Sequence, residues 1–188
     1  SDALPGGGTG LAIWSDTSPV PVDASWDGSS FTAADPMSAM GSRFRIMQGA
    51  AAAGRDEAIV IGVVDNNNEV RAQVWSGGGW SEPSFSPMSS VSDTFWWGFD
   101  VAYESQSGDA LMVWNNGTTG TQSISYRIWD GNTWSGEGTI TAPVSGEAKQ
   151  MQMAASPVSD EMVLVVSTGS SHDYAVVWDG ASWGNGID

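Results

Sequence analysis

Tryptophan and arginine are the residues through which this chain could hold a ligand: it has eleven tryptophans, five arginines and one lysine. An indole face accepts the flat apolar side of a pyranose ring, and a guanidinium donates to ring hydroxyls. Trp75, Trp129 and Trp178, with Arg71 and Arg127, are therefore candidate sugar-stacking residues. Arg71 precedes Trp75, and Arg127 precedes Trp129, by an even number of residues, so each pair shares a strand face. The same residues have a plainer use: the rings plug the gap between packed sheets, and a guanidinium over an exposed indole adds about 0.5–1 kcal/mol of local stability. Trp96-Trp97 is different. It occurs once, and adjacent strand residues point to opposite faces, which makes Trp96 and Trp97 candidates for a partner or ligand contact.

Other chemistries are thinly represented. Asp65, Asn67 and Glu69 offer oxygen ligands in a turn and form a calcium candidate, without the twelve-residue loop pattern of an EF-hand. His172 stands beside Asp173 in a Ser/Gly-rich loop, but a catalytic pair also needs a positioned nucleophile. No catalytic residue and no cofactor is implied. There is no cysteine, hence no disulfide framework or thiolate chemistry. The net charge of −16 repels phosphate, which argues against nucleic acid as a partner. Apolar runs are far too short for a membrane span. Asn116-Gly117-Thr118 is an N-glycosylation sequon at an expected turn, which makes Asn116 a candidate glycosylation site.

The elements that must position these residues repeat. Trp26-Asp27-Gly28-Ser29-Ser30-Phe31 returns as Trp75-Ser76-Gly77-Gly78-Gly79-Trp80, as Trp129-Asp130-Gly131-Asn132-Thr133-Trp134 and as Trp178-Asp179-Gly180-Ala181-Ser182-Trp183. The first tryptophans stand 49, 54 and 49 residues apart. Asp-Gly between hydrophobic runs is a hairpin signal, and a period of about 50 residues marks a repeat architecture. Within the second repeat the pattern predicts strands at Phe44 to Ala53, Ala58 to Val64, Val70 to Trp75 and from Trp80. The third repeat predicts them at Phe95 to Tyr103, Ala110 to Trp114, Ser123 to Trp129 and Trp134 to Ile140. The fourth gives Met151 to Ala155, Met162 to Val166, Tyr174 to Trp178 and a short end from Trp183. No stretch carries a helical apolar period.

The expectation is an all-β fold: a β-propeller of four repeats of about 50 residues, with four antiparallel strands per blade. A single sheet cannot bury both faces, so blades must stack. First strands rich in small residues (Gly49 to Ala53, Val101-Ala102, Ala154-Ala155-Ser156) suit crowding near an axis. Second strands read as unbroken apolar runs, as sheets covered on both faces require. Residues 1–10 form a flexible lead-in, and 11–188 a single domain with repeats at about 11–42, 43–92, 93–146 and 147–188. The first blade reads as incomplete, with no first strand before Leu11, and its open edge would invite another chain.

The Trp-Asp-Gly-x-x-Trp hairpin resembles the repeats of tryptophan-rich β-propellers in secreted microbial proteins. It is similar to the blade motif of fungal-type fucose-binding propeller lectins and to a shortened Asp-box of sialidase-like propellers. The lectin resemblance implies a sugar held between blades by an arginine, a glutamate and an aromatic, with the glutamate in strand three before the Trp. The corresponding segments here read Val70-Arg71-Ala72-Gln73-Val74, Tyr126-Arg127-Ile128 and Tyr174-Ala175-Val176-Val177, and no glutamate recurs in them. The arginine cluster and tyrosine nucleophile that a sialidase-like hydrolase requires are not suggested by five scattered arginines.

Three functions follow in order. The first is a non-catalytic extracellular structural or adhesive protein, a module of a cell-surface or filamentous assembly. Its partners would be further subunits, by self-assembly or through a separate anchor chain. The second is a carbohydrate-binding propeller with glycan partners. The third is a glycan hydrolase.

Overall fold

The computed structural model describes residues 3–4, 9–65, 68–90 and 96–188, and places them in four antiparallel sheets. The first sheet runs β1 (Ala3–Leu4), β2 (Thr9–Trp14), β3 (Val22–Trp26), β4 (Asp35–Pro36). The second runs β5 (Phe44–Ala51), β6 (Glu57–Val64), β7 (Glu69–Ser76), β8 (Gly79–Ser81), and β9 (Ser89–Ser90) adds to the other end of β7. The third is β10 (Phe99–Tyr103), β11 (Ala110–Asn115), β12 (Ile124–Trp129), β13 (Gly138–Ile140). The fourth is β14 (Ala148–Ala155), β15 (Met162–Thr168), β16 (Asp173–Trp178), β17 (Trp183–Ile187). Strand order equals chain order in each sheet, apart from the added β9. The inner strand β10 packs against both β5 and β14, so the sheets fan around a common axis as propeller blades do.

The repeated hairpin is the local reason for this regularity. Trp75 pairs with Trp80 and Trp178 with Trp183 in register, and single bridges join Trp26 to Phe31 and Trp129 to Trp134. The paired ring centroids lie 5.0, 5.6, 5.2 and 5.6 Å apart in the four sheets. The glycine after the Asp takes the positive φ: 99° at Gly28, 88° at Gly131 and 91° at Gly180. The Asp does a different job. Asp130 Oδ1 accepts the backbone N–H groups of Asn132 (2.8 Å) and Thr133 (2.6 Å), closing the turn from inside, and Asp27 and Asp179 do the same. These N–H groups, those of Ser30 and Ser29 first, hold the Asp27 carboxyl down at about 2.

Three apolar cores fill the three seams between sheets. The first gathers Met40, Phe44, Val60 and Val64 with Ile13 and Trp80. The second sets Ile59, Ile61, Ala72 and Val74 against Phe99, Met112 and Trp114. The third sets Leu111 and Val113 against Met151, Leu164 and Trp178. Strands β6 and β11 are buried along their whole length, because each has a sheet on both sides. In β15 burial alternates, with Val163 41% and Val165 50% exposed. The outer face of the fourth sheet is thus not covered by the first. At the opposite end, Gly10, Ala12, Trp14 and Trp26 share the outer face of the first sheet by register, and Trp14 and Phe31 are exposed.

Two expectations are corrected. The first sheet does have an inner strand: Ala3 pairs with Gly10 and Leu4 with Thr9. Two residues are enough for one rung of a ladder but too few for an apolar pattern to reveal; β1 covers only Thr9 and Gly10, and Leu11 to Trp14 of β2 have no strand on that side among the described residues. The fourth strand of the third sheet begins at Gly138 rather than at Trp134, which makes only a bridge. Phe95 and residues 1–2 and 5–8 of the expected lead-in lie outside the described residues.

Candidate functional site

The seams hold most of the polar chemistry. Each contains one buried carboxylate that accepts a hydrogen bond from an aromatic side chain of the next sheet. Trp80 Nε1 donates to Asp23 at 3.0 Å, the Tyr103 hydroxyl to Glu57 at 3.0 Å, and Trp178 Nε1 to Glu104 at 2.5 Å. Burial pushes the Asp23 and Glu104 carboxyls up, against the lowering pull of those donors. Burial first, then the Glu57 charge, pushes the Tyr103 phenol up as well. Arg55 bridges the middle seam, donating to Glu57 at 2.9 Å and to the Gly108 carbonyl.

The middle seam also assembles an arginine with aromatics and a second acid. The Arg127 guanidinium, on β12, lies 4.3 Å from the centroid of Phe85, which belongs to the second sheet's outer segment. Phe85 meets Trp134 edge-on at 5.3 Å, and Trp134 rests on Trp129. Arg127 Nη1 donates to the Ser135 carbonyl at 2.5 Å, and Nη2 stands 3.7 Å from Glu137. The Arg127 side chain is 18% exposed and that of Glu137 47%. Two N–H donors here, Arg127 Nε and Trp129 Nε1, are closed off from solvent without an acceptor. Arg71 has a related but different setting: it pairs with Glu69 at 2.8 Å and Glu82 at 2.9 Å.

Sequence reasoning missed both acids. Glu82 and Glu137 follow the second aromatic of the hairpin, in Trp80-Ser81-Glu82 and Trp134-Ser135-Gly136-Glu137. They reach the arginine of strand three from the next strand, not along the same one. The repetition of an acid two or three residues after the second Trp was the available signal.

The remaining candidates fall out as follows. Trp178 is corrected: at 2% exposed and bonded to Glu104, it offers no ring face to a sugar. Trp75 is half-buried and donates Nε1 to Asp56 at 3.1 Å. Arg71 and Arg127 do not sit over the tryptophans of their own strands but pair with acids and, for Arg127, with Phe85. For the calcium candidate, Asp65 is bound by Arg43 and Arg45 and Glu69 by Arg71, so guanidinium charge occupies both carboxylates. Asn67 lies outside the described residues. No group of acids and histidines able to hold a metal occurs among the described residues. Asn116 caps its own turn, its Oδ1 accepting from Thr118 and its Nδ2 donating to the Gln122 carbonyl. Trp96 and Trp97 are exposed, and Lys149 Nζ lies 5.6 Å from the Trp96 ring centroid. The described residues contain no helix long and apolar enough to cross a membrane.

No protein-family model matches the chain, and no curated protein matches it. Solved structures do. The fucose-recognising six-bladed β-propeller lectin of the fungus Aleuria aurantia superposes with a TM-score of 0.55 at 12% identity, over 100% of this chain and 64% of that one. A complex of a mutant of that lectin with Fucα1-6GlcNAc gives a TM-score of 0.56 at 12% identity, over 100% and 64%. The BP39L lectin of Burkholderia pseudomallei gives 0.62 at 13% identity, over 96% of this chain and 51% of that one. The chain therefore spans less than two-thirds of the length of these lectins, and at such identities what it shares with them is the propeller fold.

Proposed function

We propose that this chain is a non-catalytic carbohydrate-binding module displayed outside the cell, with the seam at Arg127 as its sugar site. One observation carries the reading. In a propeller scaffold like that of lectins, Arg127, Glu137, Phe85 and Trp134 bring a fixed donor fork, an acceptor and aromatic faces together between two sheets. A pyranose needs this mixture, since its hydroxyls pair with guanidinium and carboxylate while its C–H face packs on a ring. The recognition of fucose by the Aleuria aurantia lectin supports a deoxyhexose or a related neutral sugar as the ligand class. Catalysis is not part of the proposal. The seam carboxylates Asp23, Glu57 and Glu104 are committed to aromatic donors, and Glu69 and Glu82 to Arg71. The sequon at Asn116 fits secretion.

The test is ligand-observed NMR with methyl α-L-fucoside, methyl α-D-mannoside and methyl β-D-galactoside. At least one should bind. Arg127→Ala should weaken binding by on the order of tenfold or more, the loss of a charge-assisted hydrogen bond. Binding of none, or binding untouched by Arg127→Ala and Glu137→Gln, overturns the site.

The assembly role keeps one specific observation in its favour. In the second to fourth sheets the hairpin tryptophans face the preceding sheet. On the first sheet the equivalent face, with Trp26 and Phe31, is bare, and on the fourth the bare face is the one that elsewhere receives the next sheet. These are complementary halves of the interface already used three times within the chain. A second copy stacking head to tail would cover both.

A further inference from the structure

The inner end of the fourth sheet carries a second feature that the seam site does not use. A cavity of about 340 Å³ opens there, lined by Trp97, Gln48, Gln150, Gln152, Val165 and Ser167. The walls come from three sheets. Gln48 lies on β5, Trp97 leads into β10, and Gln150 and Gln152 lie on β14, paired in register with Ser167 and Val165 of β15. By that pairing all four share the bare face of the fourth sheet. The opening therefore lies where the inner strands of three sheets converge, beside the bare face of the fourth. Trp97 is 53% exposed, and its backbone carbonyl accepts the Met151 N–H at 2.9 Å, which ties the segment to β14.

We propose that this cavity is a separate binding site for a neutral pyranose, stacked on the Trp97 indole. Its walls recognise hydroxyls rather than charge. A carboxamide offers both donors and an acceptor, as a hydroxyl does, and the cavity presents three of them plus the Ser167 hydroxyl. Gln48 spends one donor on the Phe99 carbonyl at 3.1 Å, which fixes its amide and leaves its oxygen as acceptor. The carboxamides of Gln150 and Gln152 make no hydrogen bond to the described residues, so a ligand displaces only water from them. None of the lining residues is ionisable. Two charges flank the cavity: Lys149, beside Trp96 and paired with Glu147 at 2.8 Å, and Asp173, which stands in register with Ser167. An anionic sugar would meet no paired donor fork and a surface of net charge −16. Trp97 is expendable for folding because it is exposed, so its role can be read directly.

The site stands independently of the seam at Arg127, and the experiment separates the two. The full chain is titrated with the same three methyl pyranosides at a protein concentration where it sediments as a monomer. Tryptophan fluorescence and ligand-observed NMR are recorded for the native chain, Trp97→Ala, the double variant Gln150→Ala/Gln152→Ala, and Arg127→Ala. Two classes of site are expected. Trp97→Ala and the glutamine double variant each weaken one class by on the order of tenfold, with unchanged thermal melting, and Arg127→Ala weakens only the other. If every binding signal survives Trp97→Ala and vanishes in Arg127→Ala, the Trp97 site is overturned and the seam stands. If the reverse holds, the seam falls and the Trp97 site stands. If a proline-rich peptide binds through Trp97 and no pyranoside does, the cavity is a peptide site and the proposal is wrong.

Discussion

Trp178 donates its indole N–H to Glu104 at 2.5 Å across the last seam, from the hairpin of one sheet to the inner strand's end in the previous one. The same arrangement, an acid on one sheet and an aromatic donor on the next, recurs at Asp23–Trp80 and Glu57–Tyr103. Buried carboxylates are costly unless satisfied, so these pairs fix which side of each sheet faces its neighbour.

Trp178→Phe should therefore cost more than the lost ring atoms. It strands the Glu104 carboxylate, which Ser107 alone would still serve, and opens a small cavity in the third core. Urea unfolding should show a loss of about 2–4 kcal/mol, with pyranoside binding unchanged. A loss below the experimental error would mean that the seam bond carries no stability.

Gly131 separates two costs. Its φ is 88°, and a Cβ there would meet Arg55 Nη1 at 2.8 Å, whereas at Gly77, with φ 61°, nothing lies within 4 Å. Gly131→Ala should destabilise by about 1–3 kcal/mol from backbone strain, and should also disturb the Arg55–Glu57–Tyr103 chain. Gly77→Ala should show only the strain. Equal melting temperatures for the two variants would contradict this.

Asp100 makes stability depend on pH. Its carboxylate accepts the backbone N–H groups of Val101 (2.8 Å) and Met153 (2.5 Å), yet burial outweighs both and pushes the group up to about 6. The folded state thus holds a proton that the unfolded state has released between about pH 4 and 6. Through this group stability is highest below pH 4 and falls as pH rises through 6, by up to about 3 kcal/mol. Thermal melts from pH 4 to 7 should show the fall in the native chain and a flatter profile in Asp100→Asn. Parallel profiles would remove Asp100 as the cause.

Val163 and Val165 test the assembly reading. Both are exposed on the bare face of the fourth sheet, so Val163→Lys/Val165→Lys should change stability by less than about 0.5 kcal/mol. If copies stack there, sedimentation velocity should show the native chain associating with concentration and the variant staying monomeric. A native chain that remains monomeric at the highest attainable concentration counts against stacking.

Sequence reasoning recovered the four hairpins because a glycine turn between two aromatics, with Asp before the glycine in three of the four, is a local signal complete within six residues. It recovered the middle strands because β6 and β11 are covered on both faces and so carry unbroken apolar runs. It missed β1 because a two-residue strand has no pattern. It also misjudged Trp178: exposure of an indole depends on the neighbouring sheet, which the Trp178 segment does not encode. The Arg127–Glu137 pair was hidden for a similar reason. Its members lie on adjacent strands, and only the hairpin register brings them together. Trp97 stood out because the Trp96-Trp97 pair occurs once, while the glutamines that share its cavity, spread over two sheets, gave no local signal.

If the seam between the second and third sheets holds a sugar through Arg127, removing that guanidinium must release the sugar. The most direct measurement is saturation-transfer NMR of methyl α-L-fucoside with the native chain and with Arg127→Ala, both shown folded by near-UV circular dichroism. Transfer to the ring protons is expected in the native chain and should drop by on the order of tenfold in the variant. Equal transfer in both proteins would contradict it.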